Sequence, residues 1–110
     1  MTVAIAAKNM PATLPELQRY VEAMVQERGF ANESAQDIML LMVEEVGELA
    51  KAIRKQVGIK MASDAKPVNV GEEMADILIY LLDLANTLEV DLAQAFWAKE
   101  EKNAQRTWVK

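Results

Sequence analysis

Two short acidic runs sit where a helical chain should be oily, and they restrict how it can fold. Glu44-Glu45-Val46-Gly47-Glu48 and Glu72-Glu73-Met74-Ala75-Asp76 each lie inside a stretch whose apolar residues recur with a period near 3.6. In the first stretch Ile38, Leu41, Met42, Val46, Leu49, Ala52 and Ile53 make the stripe. On a wheel of about 100° per residue Glu45 falls inside that stripe, between Leu41 and Leu49. Glu48 marks its edge, and Glu44 turns further out. A carboxylate is among the last groups expected on a core-facing stripe, and left unpaired there it is costly or shifts its pKa. Something positive is therefore required opposite Glu45.

The surrounding pattern predicts four helices. Thr13, Pro15 and Glu16 form a capping-box start, Leu17, Val21, Met24 and Val25 follow at helical spacing, and Gly29 ends the helix. Asn32 or Ser34 caps a second, longer helix that ends near Gly58. Residues 58–67, with Gly58, Ser63, Asp64 and Pro67, read as a loop that separates the acidic runs and drapes over a ligand. A third helix runs from about residue 69 to 89. Glu72, Glu73, Asp76, Tyr80 and Asp83 share one of its faces, and the rest of its circumference is apolar. Such breadth exceeds what one neighbouring helix covers, so a second copy of the chain is expected against it. Asp91 caps a fourth helix, from 92 to about 106, which carries Lys99, Lys102, Asn103 and Arg106 on one strip. Asp83 and Asn86 read as support for the site or as helix surface. Trp97 and Trp108 read as packing groups more than base-stacking ones. The expectation is an all-α chain, a bundle of four to five helices, forming one domain over 1–110 with a loose lead-in over 1–12.

Composition narrows the chemistry. The chain of 110 residues has a formal charge of −5, with no broad basic patch, which argues against nucleic acid and against anionic membranes as partners. It has 0 Cys and 0 His, so thiolate sites, the usual zinc ligands and His-based triads are all excluded. No apolar run approaches the roughly 20 residues that span a bilayer, and no signal-peptide core is present, so the expected setting is cytoplasmic.

Glu45 and Glu48 stand at i, i+3, as do Glu73 and Asp76, and residues so spaced point the same way one turn apart. If the second and third helices pack antiparallel, four carboxylates converge. They repel one another unless a cation joins them or some keep their protons. Acids at i, i+3 are usually surface decoration. Two such pairs in one short chain, one of them reaching into an apolar stripe, favour a metal site. All-oxygen ligation selects a hard cation, Mg²⁺ first and Mn²⁺ as the alternative, and Mg²⁺ characteristically shares its shell with substrate phosphates. Lys99, Lys102 and Arg106 offer further positive charge for a polyphosphate.

Glu44-Glu45-x-x-Glu48, then 24 residues (49–72), then Glu73-x-x-Asp76, resembles the signature of the MazG-like all-α nucleoside triphosphate pyrophosphohydrolases. The surrounding "LMVEEVGELAKAIRK" and "GEEMADILIYLLDLAN" resemble that family too, as do Lys102-Asn103 and Arg106, so the likeness spans about residues 38–106. It implies a helical bundle that dimerises or forms a dimer of dimers. It also implies hydrolysis of NTPs or dNTPs between the α and β phosphates, giving monophosphate and pyrophosphate, as nucleotide-pool house-cleaning. By this resemblance Glu45, Glu48, Glu73 and Asp76 match the Mg²⁺ ligands. Glu44 matches an extra glutamate that orients or deprotonates the attacking water, or binds a further metal ion. Tyr80 matches a substrate contact. Lys102, Asn103 and Arg106 match a phosphate-binding stretch that completes a neighbouring subunit's site. Thr107 intervenes before Trp108, where the family often has an aromatic directly after the Arg.

Without His, the base is a carboxylate or a metal-activated water. Two rival readings remain at this level. One is a related pyrophosphohydrolase acting on dUTP or phosphoribosyl-ATP. The other is a non-enzymatic helical oligomerisation or regulatory module.

Overall fold

The computed structural model describes residues 12–58 and 69–107. Among these residues there are four helices and no strand: α1 (Leu14–Glu27), α2 (Ala35–Gln56), α3 (Val70–Thr87) and α4 (Leu92–Ala104). The all-α expectation holds. Most of the lead-in, nearly all of the 58–67 loop and Trp108 lie outside the described residues.

Each helix begins on a side chain that answers its free N–H groups. Thr13 and Glu16 form the expected capping box at α1. At α2 the cap is Ser34 rather than Asn32: its hydroxyl accepts from the Asp37 N–H at 3.2 Å, and Asp37 accepts from the Ser34 N–H at 3.1 Å. Asn69 accepts from the Glu72 N–H and Asp91 from the Gln94 N–H, both at 3.0 Å. The stops are also chemical. After α1 the Gly29 N–H donates to Gln26 O and the Phe30 N–H to Val25 O, with Gly29 at φ 77°. After α3 the Val90 N–H donates to Ala85 O at 2.8 Å and the Glu89 N–H to Asn86 O at 3.2 Å. This is the same left-handed stop, built here on a glutamate at φ 56°. It ends α3 at Thr87, short of residue 89, and α4 likewise closes at Ala104, short of 106.

α3 is the central element. It packs against α2 along one side and against α1 along another, while α4 rests on α1. Glu73 and Asp76, early in α3, meet Glu45 in the middle of α2, and Asp83, late in α3, feels Glu33 just before α2 begins. Rising numbers on one helix thus face falling numbers on the other, which makes α2 and α3 antiparallel. Val21 and Met24 of α1 and Leu82 of α3 form a buried cluster flanked by Leu17, Tyr20 and Leu92. Gln18 ties this end together. Its amide donates to Val90 O at 2.6 Å and accepts from the Leu92 N–H at 3.1 Å, while Asn86 Nδ2 donates to Gln18 O at 3.0 Å.

The apolar stripe on α2 is only partly covered within one chain. Ile38 and Ala52 are buried, but Val46 and Ile53, both on the predicted core stripe, are exposed. α3 covers one flank of α2. Met39, Leu40 and Val43 on α2 and Met74, Leu78, Ile79 and Leu81 on α3 are exposed too. Trp97, expected to pack, is 69% exposed and meets only Phe96 edge to face, with centroids 5.1 Å apart. No helix of the described residues is long and apolar enough to cross a membrane.

Candidate active site

Antiparallel pairing of α2 and α3 brings the two acidic runs into one seam. One carboxylate oxygen each from Glu45, Glu73 and Asp76 lies within 4.8 Å of the other two. Glu45 and Glu73 are half-buried and Asp76 is exposed, so the trio forms a shallow cleft with one open side. Glu45 is the half-buried acid of its run, in keeping with its place on the wheel, whereas Glu44 and Glu48 are exposed.

The electrostatics record the crowding. The Glu45 carboxyl is raised above its ordinary value, first because it hydrogen-bonds Glu73, then through burial and the charges of Asp76, Glu73 and Glu48. Two carboxyl groups can share a hydrogen bond only when one of them keeps a proton. Without a cation, then, Glu45 keeps a proton more readily than an ordinary glutamate. A cation offers the other solution. Oxygens on an octahedral shell with bonds of about 2.1 Å stand roughly 3–4 Å apart, slightly closer than the present spacing. A small closure of rotatable carboxylates suffices, so the residues fit a hard divalent ion. Glu48, one turn along α2, is outside the trio but close enough to act on Glu45.

Tyr80 stands one turn beyond Asp76 and is half-buried. Its phenol is raised by burial and by four acids, Glu45, Glu33, Asp76 and Glu44. The hydroxyl therefore stays protonated and able to donate toward an anion in the cleft. Lys99, Lys102 and Asn103 lie on α4, the helix that rests on α1, and Arg106 lies just past its end. The groups that shift Glu45 and Tyr80 are all acids, and none of these cations is among them. One chain thus brings together Glu45, Glu73, Asp76 and Tyr80, with Glu48 and Glu44 at the margin, and keeps the basic strip apart.

Two further acids emerge: Asp83, which the sequence left as site support or helix surface, and Glu33, which sequence reasoning did not single out. Asp83 is buried, not helix surface, and Glu33 acts on both Asp83 and Tyr80. For Asp83 the signal was available: it follows Asp76 and Tyr80 at i+7 and i+3 on the same face. Glu33 lies in a turn, where no periodicity speaks for it.

The sequence profile of the MazG nucleotide pyrophosphohydrolase domain matches residues 33–108. The dCTP pyrophosphatase 1 of Mus musculus is 33% identical over 99 residues, covering 86% of this chain and 58% of the mouse protein. This chain therefore spans less than two-thirds of that relative. The dATP/dGTP diphosphohydrolase of Cyanophage S-2L is 34% identical over 101 residues, covering 92% of this chain and 83% of the phage protein. The crystal structure of YpjD from Bacillus subtilis superposes with a TM-score of 0.76 at 26% identity, covering 89% of this chain and 99% of that one.

Proposed function

The chain belongs to the family of MazG nucleotide pyrophosphohydrolase domains, and on that premise we propose that it hydrolyses (deoxy)nucleoside triphosphates to monophosphate and pyrophosphate with Mg²⁺ as cofactor. The observation that carries this reading is the convergence of Glu45, Glu73 and Asp76 from two antiparallel helices within 4.8 Å. Mg²⁺ held there supplies charge neutralisation for the phosphates and a lowered pKa for water.

The chain's own residues do the rest. Glu45, Glu73 and Asp76, joined by Glu48, would hold the cation, whose charge would offset that of the triphosphate. Glu44, exposed at the edge of the seam, or Glu45 itself takes the proton of the attacking water. The water oxygen adds to the α-phosphorus as the bond from that phosphorus to the bridging oxygen breaks, and pyrophosphate leaves with the bond's electrons. Tyr80 donates a hydrogen bond to a phosphate or sugar oxygen, a role its raised pKa preserves. Lys99, Lys102, Asn103 and Arg106 serve the triphosphate from a neighbouring subunit, which accounts for their separation from the acids of their own chain. The reading includes a homo-oligomer, a dimer or dimer of dimers, supported by the exposed apolar residues along α2 and α3. A single domain over 1–110, house-cleaning of the nucleotide pool and a cytoplasmic setting complete it.

The test is turnover of a full set of NTPs and dNTPs with Mg²⁺, with products identified by chromatography. Monophosphate and pyrophosphate in equal amounts, lost on chelation, are the expected result. Release of orthophosphate, or no turnover of any nucleotide, overturns the reading.

A further inference from the structure

Beyond the metal-binding acids, the same face of α3 leads into a cavity. Asp76, Tyr80 and Asp83 stand at i, i+4 and i+7, so Asp83 lies about 10 Å further along the helix axis than Asp76. There Asp83 and Asn86 of α3, Glu22 and Gln26 of α1, and Phe30 and Glu33 of the α1–α2 turn line a cavity of about 220 Å³. Tyr80 connects the two regions, since Glu45 and Asp76 act on it from one side and Glu33 from the other. The left-handed stop at Gly29 turns the chain so that Phe30 faces this space, and the Ser34 cap sets Glu33 beside it.

The lining is rich in acids, with Glu22, Glu33 and Asp83 around one space. Asp83 is only 8% exposed, and the little surface it keeps belongs to the lining of this cavity. Burial and the Glu33 charge both raise it above the ordinary range of an aspartate. Asn86 gives one amide N–H to Gln18 O, and its oxygen and second N–H are left for other partners. No lysine or arginine lines the space among the described residues. A carboxyl set so deep in a narrow cavity keeps little of its hydration, and a ligand N–H reaching it there restores the lost hydrogen bond. That ligand is not a metal ion. Glu22, Glu33 and Asp83 do not converge, and among the described residues the only trio of acids that does is Glu45, Glu73 and Asp76.

Resting on the pyrophosphohydrolase reading, we propose that this cavity receives the base of the nucleotide and that Asp83, backed by Glu33, selects bases bearing an exocyclic amino group over uracil and thymine. The distance from the acid seam suits it: about two helical turns is the reach from an α-phosphate to the outer edge of the base in an extended nucleotide. Phe30 offers a ring face for stacking. Cytosine and adenine present an amino group at the edge where uracil and thymine present a carbonyl oxygen, and guanine presents its own amino group. An amino group satisfies the Asp83 carboxylate directly, whereas a carbonyl sets oxygen against oxygen unless Asp83 first takes up a proton, which costs binding free energy wherever the carboxylate is the resting form. A site that must hydrogen-bond its substrate rejects the analogue lacking that donor strongly.

dCTP and dUTP are the decisive pair, because they differ only in that group. With the Mg²⁺-loaded full chain, kcat/KM for dCTP should exceed that for dUTP by about 10²-fold. In Asp83→Asn, whose amide turns to offer either a donor or an acceptor, the ratio should shrink to less than about tenfold. This variant removes a buried charge and is expected to fold. A merely structural role for Asp83 would lower both substrates together and leave the ratio alone. Equal turnover of dCTP and dUTP by the native chain, or an unchanged ratio in Asp83→Asn, overturns the base-selection proposal while leaving the pyrophosphohydrolase reading intact. No pyrophosphate from any nucleotide overturns both.

Discussion

Along α3, Glu73 and Asp76 near the N-terminus and Asp83 near the C-terminus point the same way, yet their surroundings differ. The first two meet Glu45 across the α2 seam, with one carboxylate oxygen from each of the three within 4.8 Å of the others. Asp83 has no such company. It sits beside the buried cluster of Val21, Met24 and Leu82, with Glu33 as its charged neighbour. Carboxylates on one helix face thus become either an ion-holding group or a lone acceptor, depending on what the adjoining helix brings opposite them. α2 brings a glutamate to the first position, and α1 with its turn brings a cavity to the second.

The sharpest way to break the comparison is to remove one member of the trio. Glu45→Gln or Asp76→Asn should lower Mg²⁺-dependent kcat/KM by about 10²- to 10³-fold while circular dichroism stays unchanged. Near-normal turnover in both variants would mean that the seam is not the chemical centre. Next in size is the support beneath Asp83. Leu82→Ala empties part of the buried cluster and should destabilise the chain by about 2–5 kcal/mol in urea unfolding. Stabilisation by Mg²⁺ should persist in that variant, because the trio lies on the other side of α3.

Smaller, and opposite in sign, is the effect of the lone acid itself. The folded state holds the Asp83 proton more tightly than the unfolded chain does, through burial and the Glu33 charge. Its contribution to stability is therefore full below the ordinary aspartate value and is lost as pH rises toward the raised folded value. Asp83→Asn should melt higher than the native chain at neutral pH, with the gap closing in acid. Thermal melts across pH would show this, and a variant that melts lower at every pH would refute it. Smallest is the stop of α3. Glu89→Gly relieves a left-handed glutamate and should add about 1 kcal/mol. It touches neither acid region, so turnover and base preference should not move.

Much of this was legible in the chain alone, because local chemistry wrote it. Thr13 and Asp91 could be read as caps, Ser34 as one of two candidates with Asn32, and Gly29 as a stop from its freedom at positive φ. Glu45 was conspicuous by sitting in an apolar stripe, and its run with Glu73 and Asp76 is short-range patterning. The α3 stop at Glu89 was less legible, since nothing in a glutamate announces a left-handed turn.

What the sequence settled, then, was the helices, their caps and the one acid placed where charge is expensive, since each follows from residues within a few positions of one another. Only the tertiary structure decided which acids meet. It left Glu48 beside the trio and not in it, kept the α4 cations away, buried Asp83 and brought Glu33 to it across 50 residues of chain (33 to 83). Those outcomes depend on how helices cross and which flank is covered. Contacts between distant segments leave no trace in local periodicity.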